Sequence, residues 1–470
     1  MPVPVGWRLR PARGLRRGGG GEVVLGGSPP RLLTLSSRGA ELLDGWLAGR
    51  PVGEGPAERL LARRLLDAGL VHPDPPTQPH AGAELTIIVP VHERADQLAR
   101  CLGALTPGPP TIVVDDGSPD GAAIAAVAER FGARYVRHSE NRGASAARNT
   151  GLELAETPFV AFLDSDCIPP PGFPGGLLDH LTDSAVGLVA PRIVSSGEHA
   201  GRIAAYERCR SSLDMGPRPS LVRPFAWVWY VPSAAMVARR EALGRGFDED
   251  LTLGEDVDLV WRLHDAGWQV RYEPCTRVAH DDRVEPWAWY RRRVAYNESV
   301  APLLVRHPER LPALFVSPPA ALGWGAALAG VWPALAILTA LRAVRLHRSV
   351  ARRLPSGAAG WATATSVQAT VQEGRDLGRA LAGPWAPFAI ALAAARARRD
   401  HGLARRVGAL LAALVVADWL ADRPSLDPAS YAALRLADES ARGLGIWIAC
   451  ARTRDFRALL PRRPPPVSRR

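Results

Sequence analysis

Three short apolar runs decide what this chain can fold into: LTIIVPV at 85–91, TIVVDDGS at 111–118 and FVAFLDSD at 159–166. They are separated by stretches with helical spacing, RADQLARCLGAL, DGAAIAAVAERFGA and GASAARNTGLELA. Near-continuous apolar strands belong to a parallel sheet covered on both faces. Strand–helix–strand units cross over right-handedly, so the pattern predicts a doubly wound α/β sheet. Its ligand should sit at the carboxyl ends of the strands.

Two of those ends are acidic. Asp115 and Asp116 close one run, Asp164 and Asp166 another. Clustered carboxylates repel unless a cation, hydrogen bonds or protonation relieves them. Asp-x-Asp spacing lets one carboxylate ligate a hard divalent cation, Mg²⁺ or Mn²⁺, shared with a diphosphate, while the other positions it or binds a ligand hydroxyl. A lone Asp-x-Asp is common in solvated loops. One that closes an apolar strand, after an earlier strand–DDGS unit, is far more specific. Downstream, GEDVDLVWRL starts a helix with Glu255 and Asp256 in its first turn, where the helix dipole alone favours carboxylates.

At 470 residues the chain has room for two or three domains. The net charge of +11 comes from arginine alone, because the sequence contains no lysine. Compositional bias accounts for this better than an acidic partner does. No aromatic-interleaved basic platform or zinc-finger spacing is present, which sets nucleic acid aside. Five scattered cysteines without CxxC spacing argue against disulfides and suit a reducing compartment. The arginine-rich start has no apolar core, so it does not read as a secretory signal, and the chemistry is expected on the cytoplasmic side.

Residues 1–80 read as strand, strand, helix, helix and a short strand, a small winged-helix-like module, followed by the proline-rich linker VHPDPPTQPHAG. The stretches LTLSSRGAELLDGWLAG and LLDAGLVHP resemble peptide-recognition domains of the pyrroloquinoline-quinone-D type, which take an extended peptide as an added strand. A stabilising cap without a ligand is the equal alternative. Residues 301–470 read as helical. No charge falls between Arg310 and Arg342, so 316–341 is long enough to cross a bilayer, with arginines crowding the following flank. Membrane association is favoured over a soluble helical bundle, although Pro333 interrupts the run.

The motifs VPVHERADQLARCLGAL, VVDDGSPDG, NRGASAARNTGL, FLDSDC and GEDVDLVWRL together resemble a family 2 glycosyltransferase with the GT-A fold, over roughly 84–300. The resemblance implies that Pro90, Val91 and Glu93 line the nucleotide pocket and that Asp115 or Asp116 hydrogen-bonds the uracil. Arg148 would face the nucleotide or sugar, and Asp164 the ribose or donor sugar. It further implies Asp166 as a metal ligand and His280 as a second one, the latter no better supported than a surface ion pair. Asp256 would be the catalytic base of an inverting displacement. Trp227, Trp229, Tyr230 and Glu255 are acceptor-side candidates, and the aromatics could equally be core. The pairing with a peptide-recognition-like module resembles members that glycosylate a peptide-derived redox cofactor with glucose from UDP-glucose. A membrane enzyme acting on a polyprenyl phosphate or cell-wall glycan, and a silent peptide-binding scaffold, are the alternatives. The QxxRW motif of processive synthases is absent, with WAWYRRRVAYNES in its place.

Overall fold

The computed structural model describes residues 1–78, 84–282, 284–311, 313–351, 357–396 and 401–463. The chain divides into two compact units. One comprises Met1–Arg16, Val24–His199 and Arg210–Asp282; the other comprises Arg17–Val23, Ala200–Cys209 and Arg283–Arg470.

The N-terminal segment forms β1 (Arg8–Pro11), β2 (Arg16–Gly18), β3 (Val23–Gly26), β4 (Arg31–Thr34), α1 (Ser37–Leu47), α2 (Pro56–Asp67) and β5 (Val71–Asp74). Ser36 caps α1 by accepting from the Gly39 amide, and Pro56 opens α2, as both residue types are suited to do. Trp7, Leu43, Trp46, Leu65, Leu66 and Leu70 make a core of their own. β1, inside what reads from sequence as a leader, pairs antiparallel with β5. Residues 79–83 of the expected linker lie outside the described residues.

The larger sheet is built from β6 (Leu85–Val91), β7 (Thr111–Asp115), β8 (Arg134–Arg137), β9 (Phe159–Leu163), β10 (Cys167–Ile168), β11 (Val186–Ser195), β12 (Ser220–Val222), β13 (Ala235–Arg239) and β14 (Gln269–His280). Its order is β10-β14-β11-β13-β9-β6-β7-β8, with β12 against β14. The predicted runs are its parallel half: β6 lies between β7 and β9, pairing Val91 with Asp115 and Leu85 with Phe159. Helices α3 (Ala95–Leu105), α4 (Gly121–Arg130) and α5 (Ala144–Leu154) belong to this half, α6 (Gly175–Leu181) packs on β11 and β13, and β6 is buried along its whole length. β13 runs antiparallel to both β9 and β11, so the sheet is mixed. This is the mixed α/β GT-A architecture. Next along the chain come α7 (Arg202–Arg210), α8 (Arg240–Leu243) and α9 (Glu255–Asp265).

The second unit is helical: α10 (Pro286–Glu298), α11 (Val300–Arg306), α12 (Pro318–Leu328), α13 (Trp332–Val350), α14 (Ala358–Ala382), α15 (Ala386–Arg396), α16 (Gly402–Asp422) and α17 (Pro428–Thr453). The short strands β15 (Leu314–Phe315) and β16 (Pro461–Arg462) pair in parallel. Tyr206, Trp289 and Tyr431 pack together, and Glu207 accepts from Trp289 and Arg293 beside them. The expectation of one apolar span over 316–341 is corrected here. The run is two helices, α12 and α13, parted where Gly330 adopts φ 101° and Pro333 sits in the first turn of α13. Among the described residues no single helix is long and apolar enough to cross a membrane; α14 and the first part of α15 meet that test only as a pair bent by 80°.

Candidate functional site

The carboxyl ends of β6, β7 and β9 bring the two acidic pairs to one edge, in different states. Asp115 is fully buried and accepts from the Ser118 amide at 2.8 Å, the Tyr135 hydroxyl at 2.7 Å and Arg137. Burial alone would raise its pKa, but these donors outweigh that and hold it below the usual carboxylate value. Asp116 accepts from the amides of Arg142 and Gly143 at 2.9 and 2.7 Å and pairs with His138 at 2.8 Å. It thereby fixes the turn leading into α5. The loop can tighten only because Gly117 takes φ 70°: a Cβ there would come within 2.5 Å of the Glu140 backbone. At the end of β6, Pro90 and Val91 are buried, while Glu93 is exposed and donates its amide to Ser118 Oγ at 2.9 Å.

The second pair faces a cationic centre. Arg148, only 3% exposed, reaches from α5 to Asp164 at 2.7 Å and to Glu255 at 3.0 Å, with its guanidinium over the Phe247 ring. Burial pulls its pKa down, and the charges of Asp164, Glu255 and Asp256 more than reverse that, so it stays protonated. Glu255 also accepts from Ser233 Oγ at 3.0 Å. Asp256 follows it at the start of α9 and accepts from the Val257 amide at 2.8 Å and the Ser233 amide at 3.3 Å. Desolvation first, then the neighbouring Glu255 charge, pushes Asp256 up to about 7 against those hydrogen bonds and Arg148. An acid at that value is poised to exchange protons near neutrality.

Asp166 stands before the short strand β10, whose Cys167 pairs with His280 on β14. This register sets His280 Nε2 at 3.7 Å from the Asp166 carboxylate, while Nδ1 faces Asp282 at 3.8 Å. Burial lowers the His280 pKa, but Asp282, Asp166 and Asp164 raise it above its ordinary value. Asp281, in contrast, is spent on Gln97, Arg100 and His199. No group of three or more His, Cys, Asp or Glu among the described residues stands ready to hold a metal ion. Cys101 and Cys167 are buried, and desolvation raises both thiols.

The acceptor-side aromatics differ from one another. Trp227 is 73% exposed, whereas Trp229 is half-buried against Tyr230 and Trp261, and its carbonyl accepts from Trp261 Nε1 at 2.8 Å. Tyr230 is half-buried and donates to the Ser212 carbonyl. Sequence reasoning missed Ser233, which holds both Glu255 and Asp256. It sits on a loop with no motif, and nothing in its neighbours announces the role.

Comparison with known proteins identifies the family. The family model for glycosyl transferase family 2 matches residues 86–247. A pre-mycofactocin glycosyltransferase of Mycobacterium tuberculosis H37Rv is 40% identical over 479 residues, covering 98% of this chain and 98% of its own. Glycosyltransferase AglE of Haloferax volcanii is 27% identical over 210 residues, 42% of this chain and 64% of its own. Among solved structures, a mannosyltransferase from Pyrobaculum calidifontis in complex with GDP-Man and Mn²⁺ aligns with a TM-score of 0.39 at 20% identity, over 76% of this chain and 92% of its own. Relatedness of the first kind, along nearly the whole of both chains, decides membership: the chain belongs to the family 2 glycosyltransferases, nucleotide-sugar-dependent enzymes, and within them to the family of the pre-mycofactocin glycosyltransferase.

Proposed function

We propose that the protein transfers glucose from UDP-glucose, with inversion, onto a hydroxyl of the peptide-derived redox cofactor mycofactocin or its precursor, and repeats the step to extend a β-1,4-linked chain. The observation that carries the chemistry is Asp256, tuned to about 7 beside the Arg148–Asp164–Glu255 cluster at the carboxyl edge of the sheet. The 40% identical relative supports the acceptor. Asp256 takes the proton of the acceptor hydroxyl as that oxygen attacks the anomeric carbon. The bond to the diphosphate breaks on the opposite face, and UDP departs with the electron pair. Arg148 locks Asp164 against the donor and keeps a positive charge near the departing group.

Uracil fits beside Pro90, Val91, Glu93 and the DDGS loop. Asp115 is fully enclosed, so Asp116 Oδ2, which takes only the Gly143 amide, is the acceptor for its N–H. For a divalent cation, the donor set is one carboxylate, Asp166, and one imidazole, His280, braced from behind by Asp282. Two protein donors of this kind suit Mn²⁺ or Mg²⁺ whose other positions go to diphosphate oxygens and water. When bound, such an ion would neutralise charge on the leaving diphosphate.

The division of labour follows the limits 1–80 for peptide recognition, 84–300 for catalysis and 301–470 for a helical, membrane-associated part. β4, at one edge of its small sheet, supports strand addition by a peptide. Exposed Ile337, Leu341 and Val344 on α13, and Phe388, Ile390 and Leu392 on α15, support contact with the cytoplasmic face of a membrane.

The test is transfer from UDP-glucose with Mn²⁺ to the mycofactocin precursor, wild type against Asp256→Asn. Undiminished transfer by the variant removes Asp256 as base. Donor turnover with another nucleotide sugar only would reassign the sugar.

A further inference from the structure

One segment touches both the N-terminal module and the catalytic acids. It runs from Arg223, directly after β12, to Ser233, two residues before β13. At its start the buried Arg223 guanidinium donates to the Ser28 carbonyl at 2.9 Å and to the carbonyls of Asp67 and Ala68 at 3.0 and 3.4 Å, where α2 ends. Carbonyls at a helix C-terminus lack intrahelical donors, so a cation there satisfies orphan acceptors and meets the negative end of the dipole. The Trp227 amide adds a bond to Ser28 Oγ at 2.8 Å. Side chains then alternate, with Ala226 and Val228 buried and Phe225 and Trp227 exposed. Midway, the Trp229 carbonyl holds Trp261 of α9. At the far end Ser233 grips Glu255 and Asp256, and the next carbonyl, of Ala234, accepts from the Asp164 amide at 2.9 Å.

We propose that Arg223–Ser233 is a strap through which the N-terminal module sets the position of the catalytic carboxylates, with Arg223 as the positioning residue. The contacts of Trp229 with Trp261 and of Ser233 with Glu255 and Asp256 belong to a segment whose other end is clamped on the module, and the Asp164 contact to the residue that follows it. Loosening the clamp frees Ser233, and with it the two acids on α9. A module that has bound the acceptor's peptide part can act on the reaction by the same route. That last step rests on the proposed function; the mechanical link does not.

Amide hydrogen exchange on the full-length protein, without substrate, tests the link. In Arg223→Ala, the Ser233 and Val257 amides, both bonded to Asp256, should exchange at least about tenfold faster while those of β6 stay unchanged. The milder Ser28→Ala, which removes only the Trp227 contact, should give the same pattern at smaller amplitude. Acceleration confined to 220–228 and the module would overturn the strap. Should Arg223→Ala loosen β6 as well, Ser28→Ala decides alone: unaltered exchange at 233 and 257 refutes it. In turnover, Arg223→Ala should lower kcat by about tenfold, as the hold on Asp256 loosens, with a smaller change in the KM for UDP-glucose through Asp164. A shift in donor KM at constant kcat would also overturn the assignment. If the wild type turns over no UDP-glucose, the functional reading fails while the exchange result still stands.

Discussion

The two acidic pairs look alike in the sequence and differ in the fold. At the end of β7, Asp115 and Asp116 are closed in by backbone amides, a tyrosine, an arginine and a histidine. At the end of β9, Asp164 keeps one ion pair, with Arg148, and Asp166 lies half-exposed opposite His280. The path of the chain beyond each strand makes the difference. A glycine-permitted turn folds the chain back over Asp115 and Asp116, whereas the chain after Asp164 leaves along a short edge strand. The first pair is thereby enclosed, and the second keeps more of its surface exposed.

Substitutions can break or sharpen that contrast. The largest effect is expected in Asp256→Asn, which removes the proton acceptor and leaves one of its two amide donors without an acceptor. Transfer should fall by roughly 10³-fold, measured as kcat at saturating donor. Next comes Asp116→Ala, which strands two amides and His138 in a buried site. It should cost roughly 3 kcal/mol of stability, read from denaturant unfolding. Asp166→Ala should leave the unfolding midpoint nearly unchanged and abolish the response of activity to added Mn²⁺. If Asp116→Ala left stability untouched, the contrast would be gone.

The wild-type pH profile should show kcat/KM falling tenfold per unit below about 7, as Asp256 takes up a proton. The smallest effect concerns stability. Since the folded-state pKa of Asp256 is raised, the folded chain holds a proton that the unfolded chain has released. Stability from this group is intact below the unfolded pKa of about 4 and is lost as pH rises towards 7. The melting temperature of Asp256→Asn relative to wild type should therefore rise by about 3 °C between pH 4 and pH 8.

The central parallel strands β6, β7 and β9 were legible because each carries its own pattern: burial on both faces leaves an unbroken apolar run. The antiparallel β13 was not, because its position depends on β9 and β11 across the sheet rather than on its own residues. Arg148, Asp164, Asp166 and Asp256 stood out through motifs, although the pairing of Arg148 with both Asp164 and Glu255 needed three separated segments to meet. The apolar count over 316–341 misled, since hydropathy ignores what Gly330 and Pro333 do to a helix axis. For Trp229 platform and core were both open readings, and its packing against Trp261, which is distant in sequence, could not be read from the stretch FAWVWYVP.

Arg63 of α2 forms a buried ion pair with Asp183 at 2.6 Å, and Arg271 and Asp67 lie in the same electrostatic cluster. Exchanging the N-terminal module between relatives would therefore not be a matter of cutting the linker. A transplanted module without the matching arginine would leave the buried Asp183 with only the Ala185 amide and the more distant Arg271 charge, a fault costing up to roughly 3 kcal/mol. Recombination at this junction should succeed only when residues 63 and 183 travel together, so the structural boundary of the module runs through the catalytic sheet rather than through the linker.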